Sequence, residues 1–320
     1  MADNNKFKTV DLNRVKTVAL EERSSKVALD RLGRSCPNGS AREFFEHLPG
    51  FLKAADLREF IGHVATARKQ GLPFHVMMGA HVIKVGLSPL LIDLMKAGIV
   101  TGLSLNSAGL IHDLELTFAG KTSEDVQAGL QDGSFGMSEK TGQWFAGVTA
   151  LAARKQIGLG QAAGEYIVGA GAPYAEYSLF ASAHREGLPV TVHVGIGTDI
   201  VNQMSSFNPG ETAEASYLDF KILSHILTEA DRGGVVANIG SAVILPEVFL
   251  KALTVARNLT RGERRIITAN FDMIGQYRPL TNVVKRPTAD GGQGYAFVGH
   301  HEIMIPLLAW GLNAYVSNIR

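Results

Sequence analysis

The sequence predicts an α/β fold: an open, mostly parallel sheet, doubly wound, with helices on both faces. Three observations predict it. Short apolar runs recur at 74–78, 102–105, 190–194, 235–239 and 266–270. Each run closes in a cluster of small or polar residues, and stretches of helical periodicity separate one run from the next. That alternation is the pattern of βαβ units. Composition agrees, since 46% of the 320 residues are hydrophobic and 19% charged, enough apolar surface for a large core.

Taken in order, residues 1–40 read as an N-terminal extension, charged, poor in aromatics and weakly patterned over 6–38. Cys36-Pro37-Asn38-Gly39-Ser40 is a turn. Residues 41–69 read as one helical stretch, because Phe44, Phe45, Leu48, Phe51, Leu52, Leu57, Phe60, Ile61 and Val64 recur at near-helical spacing. From 41 to 320 the chain reads as a single domain. Gly71-Leu72-Pro73 introduces the first strand, which ends at Gly79-Ala80-His81. The second ends at Asn106-Ser107-Ala108-Gly109, the third at Gly195-Ile196-Gly197-Thr198-Asp199, the fourth at Gly240-Ser241-Ala242 and the fifth at Phe271-Asp272.

Charge and cysteine content narrow the function. Lys and Arg number 31 against 30 Asp and Glu, a net charge of +1, without the basic surplus of a nucleic-acid binder. The lone cysteine, Cys36, excludes an intramolecular disulfide and a Cys-based zinc site. The most apolar stretch, 82–100, is interrupted by Lys84, Asp93 and Lys96, so no membrane span is expected. The polar N-terminus carries no signal-peptide pattern. The expectation is a cytoplasmic protein with neither membrane nor nucleic acid as partner.

In an open parallel sheet, ligands bind beyond the carboxyl ends of the strands. Those ends carry His81, Asn106, Ser107, His112, Asp113, His193, Asp199, Asn238, Ser241, Asn270 and Asp272, with glycines beside them that would let a ligand approach the backbone. The turn Gly195–Asp199 would suit a phosphate, or simply a tight strand-to-helix connection; it lacks the third glycine of the dinucleotide fingerprint and the lysine of a P-loop. His81, His112, His193, His300 and His301, with Asp113, Asp199 or Glu302, would furnish zinc ligands if the fold brought them together; otherwise they are unrelated hydrogen-bonding residues. The segment after the fifth strand reads as a long functional loop. It holds Lys285 beside Arg286, either an imine-forming or anion-binding pair or two solvated cations.

In their order, these segments resemble the deoxyhypusine synthase family and its homospermidine-synthase-like relatives, from about residue 40 to the C-terminus. The resemblance is carried by 79–88 (GAHVIKVGLS), 106–113 (NSAGLIHD), 195–199, 240–243, 268–272 with Arg278-Pro279, and 301–308 (HEIMIPLL). It implies a Rossmann-like fold binding NAD, in a homo-oligomer, usually a tetramer. It also implies NAD-dependent transfer chemistry on a polyamine or other small amine through an imine. On this resemblance Ala80, His81, Ser107, Ala108, Gly109, Asp199, Gly240, Ser241, Thr268, Ala269 and Asp272 would bind the cofactor. Lys285 would be the covalent lysine, His193 (or His81) the base, and Asp113 a substrate carboxylate.

The sequence also departs from the family. Pro246 falls near its histidine, Val194 near one carboxylate, His300 at another acidic position, and Pro287 on its catalytic lysine, two places beyond Lys285. Two alternatives follow. One is a metal-dependent enzyme on the same fold, with zinc held by His81, His112, His193 and His300. The other is a non-catalytic nucleotide-binding oligomer.

Overall fold

A computed structural model describes residues 7–260 and 262–316. Residues 1–6, the first part of the polar stretch 1–11 that bears on the signal-peptide expectation, lie outside the described residues. Residues 7–40 hold three short 3₁₀ turns, Leu12–Arg14, Leu20–Glu22 and Leu29–Arg31, none with a buried residue. Backbone bonds between Arg31 and Gly50 and between Arg34 and His47 attach their end to the body.

The helical stretch expected over 41–69 is two helices, α1 (Ala41–His47) and α2 (Leu52–Lys69). Pro49 and Gly50 break it, since proline disfavours helical backbone before it and glycine weakens helix. A capping box of Ser40 and Glu43 starts α1. Beyond them run β1 (Phe74–Met78), α3 (His81–Lys84), α4 (Ser88–Lys96), β2 (Gly102–Asn106) and α5 (Ser107–Ala119). A helical excursion follows, α6 (Val126–Asp132), α7 (Glu139–Lys155), α8 (Leu159–Gly169) and α9 (Leu179–Glu186), before β3 (Val190–His193). Then come α10 (Pro209–Ala230), β4 (Val235–Ile239), α11 (Ile244–Thr260), β5 (Ile267–Asp272), α12 (Tyr277–Pro279), a π-helical run Leu280–Lys285, β6 (Gln293–Val298) and α13 (His301–Val316).

All pairings in the six-stranded sheet are parallel, in the order β3-β2-β1-β4-β5-β6. This is the doubly wound, Rossmann-like topology. The late segment read as a long irregular loop is instead the helical crossover to β6, a strand whose own Gly294, just after Gly291 and Gly292, masked its apolar alternation.

Successive strand residues face opposite ways. Phe74, Val76 and Met78 of β1 join the core under α2 and α13, while Met77 joins the one under α10 and α11. Phe60 of α2 lies edge-on to Phe74, Phe271 and Tyr295, with centroids 5.8–6.2 Å apart. Burying such a ring contributes about 2 kcal/mol. The outer edge of β3 is closed by α10 side chains. Asp219 accepts the N–H of Val192 at 2.7 Å, and Ser216 bonds the N–H of Val194 and the carbonyl of Val192. No helix among the described residues is long and apolar enough to cross a membrane.

Candidate functional site

The order of the sheet reverses between β1 and β4, where doubly wound sheets usually open a crevice. Here the protein closes it. A Cβ on Gly79 would stand 2.3 Å from the Gly240 carbonyl oxygen, so the two turns touch backbone to backbone. Gly240, with φ +65°, has the His301 ring over it, at 2.6 Å from where its Cβ would be. The rings of His81 and His301 are 5.3 Å apart. Thus Gly79 and Gly240, expected to admit a ligand to the backbone, instead admit the chain itself. The Gly195–Asp199 turn also folds on itself, through Thr198 to the Gly195 carbonyl and the Gly197 N–H to Asn202.

Open space lies beside this crevice, over the ends of β2 and β3. A cavity of about 570 Å³ is bounded by α3, α5, the 120–126 loop, α7 and the β3–α10 connection. That volume suits a small-molecule ligand. Its apolar wall includes Ala108, Ile111, Phe135, Ile200 and Trp144, the last stacked on Phe118 at 4.9 Å. Lys84, Lys121 and Lys140 are exposed on it. Asp199 lies on its wall and accepts the hydroxyls of Ser107 and Thr198. Burial pushes the Asp199 carboxyl up, against those two hydrogen bonds. A half-buried carboxylate without a cationic partner attracts a positively charged group.

The same cavity holds a hydrogen-bonded line of three side chains. His112 Nδ1 lies 2.6 Å from Thr122 Oγ1, and Thr122 donates to Glu115 Oε2 at 2.5 Å. The other Glu115 oxygen accepts from Thr141 at 2.9 Å. Burial holds His112 below its ordinary value; Glu115 opposes this and Lys84 adds to it. Asn106 caps α5 through the Gly109 N–H at 3.1 Å, which fixes the helix from which His112 and Glu115 project.

The remaining expected site residues scatter. Asp113, one position beyond His112, points away from the cavity and caps α9, accepting Ser178 Oγ at 2.5 Å and the Leu179 N–H at 2.8 Å. Its carboxyl is not free for a substrate. His193 is buried at the end of β3 in a chain of bonds across three strands. His75 Nε2 meets Ser104 Oγ at 2.7 Å, Ser104 meets Thr191 Oγ1 at 2.6 Å, and Thr191 meets His193 Nε2 at 2.9 Å. Ser241 caps α11 through the Leu245 N–H, and Asn238 bonds Asn270 and the Ser241 carbonyl.

Thr268 and Ala269, expected at the cofactor, are fully buried near the amino end of β5, where Thr268 donates to the Val283 carbonyl at 2.7 Å. Lys285 sits at that same amino edge, next to Val284, whose carbonyl abuts Gly294 at the start of β6. The proposed covalent lysine is therefore on the wrong edge of the sheet. Ala80, His81 and Asp272 do stand at the carboxyl edge, around the closed crevice.

Nor do the four histidines of the metal reading converge. His112 is in the cavity, His193 inside the sheet and His81 against His301, while His300 is exposed and paired with Glu302 at 3.7 Å. Among the described residues no group of three or more His, Cys, Asp or Glu is placed to hold a metal ion. The residues that sequence reasoning missed are Lys84, Glu115, Thr122, Thr141 and Trp144. Glu115 alone carried a signal, its helical spacing of three from His112.

No protein-family model matches the chain, and no curated protein matches it in sequence. Among solved structures, a conserved LOR/SDH-type protein of Methanococcus maripaludis S2 is similar at TM-score 0.50 and 14% identity, over 82% of this chain and 70% of that one. The ternary complex of AgrE with ornithine and NAD+ is similar at TM-score 0.51 and 13% identity, over 81% of this chain. This chain spans 33% of the length of AgrE. A deoxyhypusine synthase-like protein of Entamoeba histolytica is similar at TM-score 0.48 and 10% identity, over 87% of this chain and 95% of that one. What the likenesses to the LOR/SDH-type protein and to AgrE share with this chain is the fold.

Proposed function

We propose that this chain, as a single domain over 41–320 with an N-terminal extension, is an NAD-linked enzyme that acts on a small amine. The observation that carries the reading is the cavity at the carboxyl edge of the sheet, which sets the half-buried carboxylate of Asp199 and the His112 imidazole against three exposed lysines. Asp199 would hold the ammonium of the amine. Ornithine and NAD+ bound to the distantly similar AgrE agree with that ligand class.

The donor set suits a nucleotide as well. Trp144 offers an aromatic face, Ala108 at the start of α5 leaves room for close approach, and Lys84, Lys121 and Lys140 form no ion pair among the described residues, so phosphate would have partners. When bound, NAD supplies a hydride acceptor. The closed β1–β4 crevice argues that it lies in the cavity rather than across the reversal of the sheet.

Titration calorimetry with NAD+ tests the cofactor. NADH formation with a panel of diamines, polyamines and amino acids bearing a side-chain amine tests the substrate class. We expect saturable NAD+ binding, weakened in Asp199→Asn only when amine is present, and NADH formation with at least one amine. No binding and no NADH with any amine would overturn the proposal.

A further inference from the structure

We propose that Glu115, Thr122 and His112 form a proton relay that presents the Nε2 lone pair of His112 to the cavity, as the base that deprotonates the substrate amine. The inference rests on the amine reading of the cavity and names the residue that does its chemistry.

The number of protons in the row fixes the tautomer of His112. Thr122 has a single hydroxyl proton, and Glu115, a carboxylate that can only accept, receives it at 2.5 Å. The oxygen of Thr122 then has lone pairs alone to offer His112. At 2.6 Å, the ring nitrogen facing it must be the one that bears a proton, so the N–H is on Nδ1 and the lone pair on Nε2. Nε2 has no hydrogen-bond partner in the protein and is not shut away from solvent, while the ring lines the cavity. Thr141, on the other oxygen of Glu115, holds the carboxylate in place from α7.

The step balances. An N–H bond of the substrate ammonium breaks, its electron pair stays on the nitrogen, and the proton bonds to Nε2. The positive charge passes from substrate to imidazolium, which Glu115 faces through Thr122 at 3.8 Å. The other charged groups on the cavity are Lys84, Lys121, Glu124, Lys140 and Asp199. Burial first, and Lys84 after it, disfavour a resting imidazolium against the pull of Glu115 and so favour the neutral, accepting form of His112 before substrate arrives.

The test has two readouts. Two-bond ¹⁵N–¹H spectra of histidine-labelled full-length protein, with His112 assigned by its loss in His112→Gln, report which ring nitrogen holds the lone pair. We expect Nε2 in the wild type and in Thr122→Ser, and a mixture of both nitrogens in Thr122→Val. In turnover with NAD+ and an accepted amine, His112→Gln should lower kcat about 100-fold with little change in the KM for NAD+. Thr122→Val should lower kcat about tenfold, and Thr122→Ser should restore it. A lone pair on Nδ1 in the wild type, or an unchanged kcat in His112→Gln, overturns the proposal while leaving the amine reading intact. A wild type that oxidises no amine, with the lone pair on Nε2, overturns the amine reading and the base role that rests on it, leaving only the tautomer of His112 established.

Discussion

Asp219 on α10 accepts the backbone N–H of Val192 at 2.7 Å, so a helix side chain supplies the bond that a further strand would make along the edge of β3. The same oxygen accepts the N–H of Gly160 in the first turn of α8 at 3.0 Å. One buried carboxyl thereby ties α10, β3 and α8 together, and blocks an edge that would otherwise invite pairing with another chain.

Asp219→Ala leaves both N–H groups buried without partners. The expected loss of stability is about 3 kcal/mol, read by chemical denaturation. A loss under about 1 kcal/mol would mean that water or a shift of α10 replaces the carboxyl.

The pH dependence of stability has a sign that follows from burial. It pushes Asp113 up to about 7 and Asp219 up to about 8, from an ordinary 3.8. Between those values the folded chain holds protons that the unfolded chain has released, so stability falls as pH rises. Burial pushes His75 down to about 3 and His193 to about 4, from 6.5, which adds stability as pH rises toward 6.5. The two effects oppose each other below 6.5, and the carboxyls act unopposed above it. The free energy of unfolding from denaturant titrations should therefore decline from pH 6.5 to 8, by about 2 kcal/mol, and Asp219→Asn should remove most of the decline.

Two glycine substitutions should move stability in opposite directions. Gly79→Ala drives a methyl into the Gly240 carbonyl and is expected to cost about 2 kcal/mol or more. Gly62, inside α2, has nothing within 4 Å of its absent Cβ, so Gly62→Ala should stabilise by about 0.7 kcal/mol. Equal effects in thermal melts would show that the turns after β1 and β4 do not touch as described.

The two lysines differ by edge. Lys285→Ala, at the amino edge, should leave NAD+ binding and turnover unchanged. Lys84→Ala, on the cavity, should weaken NAD+ about tenfold by calorimetry. The reverse pattern would return the covalent role to Lys285.

Much of this architecture was legible in the sequence because it is local. Glycine turns bracket short apolar runs, the pattern of strands buried on both faces, and β1 and β4 fall where their runs place them. Element breaks were less visible: Pro49-Gly50 split one expected helix, and the glycines of 291–294 hid β6. The site is a different matter, since it depends on directions about a helix. His112 and Asp113 are adjacent, yet 100° of helical turn sends one to the cavity and the other to cap α9. Thr122 and Thr141 reach Glu115 from a loop and from a second helix, and no spacing along the chain announces that meeting.

The bonded row His75–Ser104–Thr191–His193 can be ordered in two ways while both imidazoles stay neutral. In one, each hydroxyl donates toward His193; in the other, each donates toward His75. Reversing the row changes which nitrogen of His193 carries a proton at the far end of β3 without moving net charge. The hydroxyls of Ser104 and Thr191 have no exposed surface, so their protons are sheltered from exchange with water. They give the molecule an internal spectroscopic label: two resonances in the core whose shifts record the direction of the row.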